Sequence, residues 1–155
     1  MSRFPLEGGC HCGAVRYVLH KPALSVQHCH CERCRKMTGC MFGTGAVVQR
    51  DGVTITGEGN LTAYRSSATF PEMFCKTCGC HLFAYEDSEP TLMYVSAATL
   101  DGGAHPGHPP DKESHVYMRS KAQWDRTADD LIKYSTTSPD EIITGLQKAE
   151  LLDRQ

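Results

Sequence analysis

The apolar residues of this chain recur in short alternating runs, and those runs predict strands. Ala14-Val15-Arg16-Tyr17-Val18-Leu19 is rich in β-branched and aromatic residues and follows the turn residue Gly13. Gly45 to Gln49 and Val53 to Thr56 flank Asp51-Gly52, the signature of a hairpin. Leu61 to Arg65, His81 to Tyr85, Leu92 to Ala97 and Ser114 to Met118 complete the set. Many short strands with glycine-rich turns predict a mainly β, antiparallel domain. One segment has a helical period instead. Ser138-Pro139-Asp140-Glu141 reads as a capping box with proline at the first helical position, and Ile142, Leu146 and Ala149 follow at i, i+4 and i+7. This pattern predicts a C-terminal helix packed on the same domain. Asp101 to Pro110, rich in Gly and Pro, reads as a solvated loop and a candidate lid or rim, with His105 and His108 in solvent.

Composition narrows the function. The 155 residues suit one domain on the usual scale of ~100–200 residues. Sixteen Lys+Arg against eighteen Asp+Glu leave a formal charge of −2, so neither nucleic acid nor an anionic membrane is the expected partner. No apolar run reaches the roughly 18 residues of a membrane span. The stretch from Met1 to Glu7 lacks the apolar core of an export signal, so the expected location is cytoplasmic, where thiols stay reduced.

The chemistry lies in nine cysteines. Seven fall into three groups: Cys10-His11-Cys12-Gly13, Cys29-His30-Cys31-Glu32-Arg33-Cys34 and Cys75-Lys76-Thr77-Cys78-Gly79. Neighbours at such spacing rarely meet the separation and torsion of a disulfide. They suit side-by-side thiolates facing one ion, and zinc is the expected metal for soft sulfur ligands. Iron–sulfur is the competitor, but the four-cysteine ferredoxin runs are missing. Seven ligands divide as four plus three. Cys10, Cys12, Cys75 and Cys78 form one closed site, and Cys29, Cys31 and Cys34 form one open site. That gives two zinc ions per chain. Seven thiolates and two dications would add three negative charges to the formal charge. Cys40, six residues past Cys34, is close enough to return and close the open site. His28 and His30 fall on the opposite face of an extended chain and are poor fourth ligands. Cys80 reads as a small buried hydrophobe.

Gly9-Cys10-His11-Cys12-Gly13-Ala14-Val15-Arg16-Tyr17, Cys29-His30-Cys31-Glu32-Arg33-Cys34-Arg35-Lys36 with Thr38-Gly39, and Phe74-Cys75-Lys76-Thr77-Cys78-Gly79 together resemble the three ordered motifs of the glutathione-dependent formaldehyde-activating enzyme family. His115 and Trp124 sit where that family tends to carry a His…Trp pair. The resemblance covers residues 4–135 and leaves 136–155 as a helical extension. It implies an Mss4-like fold of β-sheets stapled by zinc. It also implies structural zinc at Cys10, Cys12, Cys75 and Cys78, and catalytic zinc at Cys29, Cys31 and Cys34. The activity it implies is a carbon–sulfur lyase reaction, the addition of glutathione to formaldehyde. A branch of the family, represented by centromere protein V, works in a chromosomal setting.

An open three-thiolate zinc site is a weak Lewis acid and suits holding a fourth sulfur as a thiolate beside a small aldehyde. Glutathione brings two carboxylates, for which Arg35 and Lys36 are the expected contacts, with Arg33 and Arg65 as further cations. His11, His28 and His30 are the histidines near enough in sequence to serve as a base, and none is singled out. Three readings follow: a zinc lyase acting on a thiol–aldehyde adduct, a non-catalytic binder of glutathione or its adduct, and a zinc-stabilised interaction module.

Overall fold

Alternation along the strands builds two sheets with a core between them. The computed structural model describes residues 3–138. Eleven strands lie among them: β1 (Leu6–Gly9), β2 (Arg16–Leu19), β3 (Ser25–Cys29), β4 (Gly43–Gln49), β5 (Val53–Thr56), β6 (Leu61–Ser67), β7 (Phe70–Cys75), β8 (His81–Ala84), β9 (Leu92–Ser96), β10 (Glu113–Val116) and β11 (Ile132–Lys133). They form a three-stranded sheet ordered β1-β2-β5 and an eight-stranded sheet ordered β11-β10-β3-β4-β9-β8-β7-β6. The class is mainly β, and most neighbours pair antiparallel. At one edge, β10 runs parallel to both β3 and β11.

The small sheet covers one face of the large one. Leu6, Tyr17 and Leu19 from the small sheet share a core with Val26, Ala46, Val48, Met93 and Val95 from the large one. Tyr17 meets Phe83 edge to face at 5.4 Å, and its hydroxyl pairs with Thr99 Oγ1 at 2.8 Å. Burial pushes the Tyr17 phenol up to about 12. The intervening residues of the large sheet, such as Tyr94 and Ser96 on β9, face a cavity on the far side.

Several expectations change. The segments around Asp51-Gly52 are strands, but they do not form a hairpin. Arg50–Gly52 is a 3₁₀ turn, Gly52 has no positive φ, and β5 pairs with β2 while β4 lies between β3 and β9. A two-residue hairpin of type I′ needs φ > 0 at both turn positions. One short helix, α1 (Glu32–Thr38), was not expected inside the second cysteine motif. It has no buried residue, so it leaves no apolar stripe to read. His108 is buried rather than solvated, stacked on His105 with 4.5 Å between ring centroids. No residue of the 101–110 segment lines the cavity, so this loop is not its lid. Past Ser138, the expected C-terminal helix lies outside the described residues.

Candidate metal centre and thiol site

The closed site joins the two sheets. Cys10 and Cys12 lie in the β1–β2 turn, and Cys75 and Cys78 lie in the β7–β8 turn. Each turn ends on a glycine with positive φ, Gly13 at 81° and Gly79 at 76°, a region that only glycine enters freely. The turns close through Gly13 N–H to the Cys10 carbonyl at 3.2 Å and Gly79 N–H to the Cys75 carbonyl at 2.9 Å. Their four sulfurs lie within 4.8 Å of one another. Cys10 and Cys12 sulfurs are 3.6 Å apart, and Cys12 and Cys75 sulfurs are 3.7 Å apart. A tetrahedral zinc with sulfurs at ~2.3 Å separates them by ~3.8 Å, so this donor set fits zinc. Val15 N–H donates to Cys10 Sγ at 3.3 Å, and Asn60 Nδ2–H donates to Cys75 Sγ at 3.1 Å. Backbone N–H groups of Cys78 and Thr77 hold the Cys75 thiol down at about 6.

The three-cysteine cluster caps α1. Cys31 is the N-cap, and its sulfur accepts the Cys34 N–H at 3.3 Å. Cys29 enters from the end of β3, and the three sulfurs lie within 4.8 Å of one another. No fourth Cys, His, Asp or Glu joins them among the described residues. Gly39, with φ 69°, ends the helix, and Cys40 leaves as an exposed residue lining a neighbouring groove. Without a metal, Cys29 and Cys34 both donate to Cys31, holding the Cys31 thiol well below its ordinary value. The Cys31 sulfur and burial hold Cys29 well above it, and the Cys29 and Cys31 sulfurs with burial do the same for Cys34. The cluster is built for charge, and its open geometry suits a zinc with one position to spare.

A cavity of about 100 Å³ opens beside the cluster on the outer face of the large sheet. Phe70, Tyr94 and Tyr117 make its walls largely apolar. Tyr117, just past β10, holds φ 57°, an uncommon value for a residue with a side chain. Gly43 keeps space beside the sulfurs. A Cβ there would lie 3.5 Å from Cys34 Cβ and 3.8 Å from its Sγ. Of the expected cations, Arg33 lines the cavity, whereas Arg35 and Lys36 are not among its lining residues. Arg33 lies with its guanidinium carbon 5.0 Å from the Phe70 ring centroid, and its Nε and Nη1 are buried with no hydrogen-bond partner. Arg33 is half-buried, and an incoming carboxylate would pair the two guanidinium nitrogens left without a partner. Arg65 is elsewhere, paired with Asp87 at 2.8 Å on the surface.

The model of the family described as glutathione-dependent formaldehyde-activating enzyme matches residues 5–120. This chain belongs to that family. A Halomonas elongata protein, provisionally named as a glutathione-dependent formaldehyde-activating enzyme, is 29% identical over 129 residues, covering 77% of this chain and 78% of its own. A Penicillium rubens protein of the same provisional name is 35% identical over 77 residues, covering 48% of this chain and 40% of its own. The crystal structure of a Rhodobacter sphaeroides protein superposes with a TM-score of 0.52 at 30% identity, over 65% of this chain and 92% of that one.

Behind this family's cysteine motif lies a histidine network that sequence spacing did not reveal. His30 is fully buried and shares a 2.8 Å hydrogen bond with His115, whose other nitrogen donates to Asp129 at 2.9 Å. His30 Nδ1 lies 3.1 Å from Asp125. His28 lies between Thr44 at 2.9 Å and Glu113 at 2.8 Å, and Glu113 also pairs with His108 at 3.1 Å. The parallel register of β3 and β10 sets His28 opposite His115. The network fastens the strand that carries Cys29. Trp124, the other half of the expected pair, is exposed.

Proposed function

We propose that this chain binds zinc at both sites and acts as a carbon–sulfur lyase-type enzyme on an adduct of glutathione, or a similar small thiol, with formaldehyde or another small aldehyde. The observation that supports this most is the open three-cysteine cluster at the wall of an apolar cavity that Arg33 also lines, with two guanidinium nitrogens left without a partner. Zinc at that cluster supplies a position where a sulfur ligand stays ionised near neutral pH.

The chain's own residues do the rest. Arg33 binds a carboxylate of the thiol and so orients its sulfur toward the cluster. Phe70, Tyr94 and Tyr117 exclude water, which strengthens that charge pairing. Arg35 and Lys36, next to Arg33 in sequence, are candidates for the second carboxylate of glutathione. The closed site has all four positions filled by protein and serves the fold.

The test is exchange kinetics between glutathione, formaldehyde and their adduct, followed by NMR on zinc-loaded protein. Acceleration over the spontaneous exchange supports the enzyme. Glutathione binding without acceleration identifies a carrier. X-ray absorption that finds four protein ligands at both zincs identifies an interaction module.

A further inference from the structure

The thiol and aldehyde chemistry proposed above needs a proton carrier, and none of His11, His28 and His30 lines the cavity. The opposite wall carries one. Glu72 on β7, His81 on β8 and Ser96 on β9 all line the cavity. They are hydrogen-bonded in series: Glu72 Oε2 to His81 Nε2 at 2.7 Å, and His81 Nδ1 to Ser96 Oγ at 3.2 Å. Glu72 is buried, and its other oxygen accepts from Ser66 Oγ at 2.9 Å.

A bulge puts His81 there. Glu72 pairs with Ala84 and Met73 with Phe83, but Phe74 pairs with His81, so β8 holds one extra residue. Leu82 and Phe83 consequently both enter the core, and His81 turns to the cavity side with Ala84. The order of donors follows from Glu72. Where the Glu72 oxygen accepts from His81 Nε2–H, the neutral ring's Nδ1 lone pair is left to accept the Ser96 hydroxyl. The Ser96 oxygen keeps lone pairs for a group in the cavity.

We propose that Ser96 is a catalytic residue, the proton-transferring end of a relay whose positioning residues are His81 and Glu72. This rests on the thiol–aldehyde reading above. In the forward direction the thiol S–H passes its proton to Ser96 Oγ as Ser96 passes its own to His81 Nδ1, and Glu72 balances the imidazolium. The sulfur lone pair forms the C–S bond, and the carbonyl π pair moves onto oxygen. His81 returns its proton to Ser96, and Ser96 protonates the alkoxide. The relay ends as it began, and no other reactant is consumed. Cleavage runs the same path in reverse.

Ser96→Ala, His81→Gln and Glu72→Gln test this in the zinc-loaded protein, beside glutathione affinity by calorimetry and zinc content. Expected are losses in exchange acceleration of about 10²-fold or more for Ser96→Ala and His81→Gln, and of about tenfold for Glu72→Gln. Glutathione affinity should change less than about threefold, with two zincs retained. The solvent deuterium isotope effect on exchange should fall in His81→Gln. Variants that fold, load zinc and exchange at the wild-type rate would overturn the relay. Nitrogen NMR of His81 tests it without turnover. The free protein should show the Nε2–H tautomer, and an Nδ1–H tautomer would overturn the relay. If the wild-type protein shows no acceleration while His81 carries Nε2–H, the thiol–aldehyde reading fails and the hydrogen-bonded order stands.

Discussion

At the scale of single residues, seven sulfurs and one guanidinium divide the work. Cys31→Ser should lower zinc content from two ions to one and abolish exchange, because the cluster then has two sulfurs and an alcohol. Its melting temperature should move little, since Cys31 belongs to the small core beside the cavity and not to the main one. Arg33→Gln should weaken glutathione binding by about ten- to a hundredfold, the worth of a charge-assisted hydrogen bond. Cysteamine, a thiol without carboxylates, should bind both forms alike, and calorimetry with the two ligands separates the effects. The cysteines were legible in the sequence because chelation needs sulfurs at short fixed spacing. Arg33 was harder to single out from Arg35 and Lys36, because three adjacent cations look alike until a helix decides which one meets the cavity. Asn60, which donates to the Cys75 sulfur, had no signal at all, since fifteen residues separate them.

At the scale of elements, strands with clean alternation were readable and elements held by something else were not. β2, β8 and β9 carry their burial in a period of two or in apolar runs. α1 is held by a sulfur cap and an αL glycine rather than an apolar face. The Asp51-Gly52 hairpin was misread because local turn chemistry gave way to pairing between sheets. The His30–His115 hydrogen bond depends on a parallel neighbouring strand 85 residues along the chain. His115→Leu should cost about 1–3 kcal/mol in denaturant unfolding, because it leaves the buried His30 nitrogen without a partner. Zinc content should stay at two ions per chain, since no ligand is touched.

At the scale of the whole molecule, the proposed metal sites would set both stability and its pH dependence. Cys78→Ser should destabilise the fold by several kcal/mol, on the order of 10 °C or more in melting temperature, because zinc binding at the closed site is folding free energy. Scanning calorimetry of Cys78→Ser beside Cys31→Ser checks the division of roles, and equal losses would refute it. Loading at the open cluster should be strongly pH-dependent. Two of its three thiols, Cys29 and Cys34, are pushed up by the Cys31 sulfur and by burial, so zinc must displace protons to bind. Apparent zinc affinity should therefore fall as pH is lowered. Competition titrations with a chromophoric chelator at several pH values measure that slope. Among the described residues no helix is long and apolar enough to cross a membrane.

The closed site has Cys10 and Cys12 on the small sheet and Cys75 and Cys78 on the large one, 63 residues further along the chain. Leu6, Tyr17 and Leu19 share the core with residues of the large sheet, which the second turn borders. On the zinc reading proposed above, a newly made chain that has not yet bound its ion would hide this apolar surface less well and would be more open to the machinery that degrades misfolded chains. Steady-state abundance in a growing cell should thus follow zinc supply even at constant synthesis, which pulse-chase labelling under zinc limitation would measure.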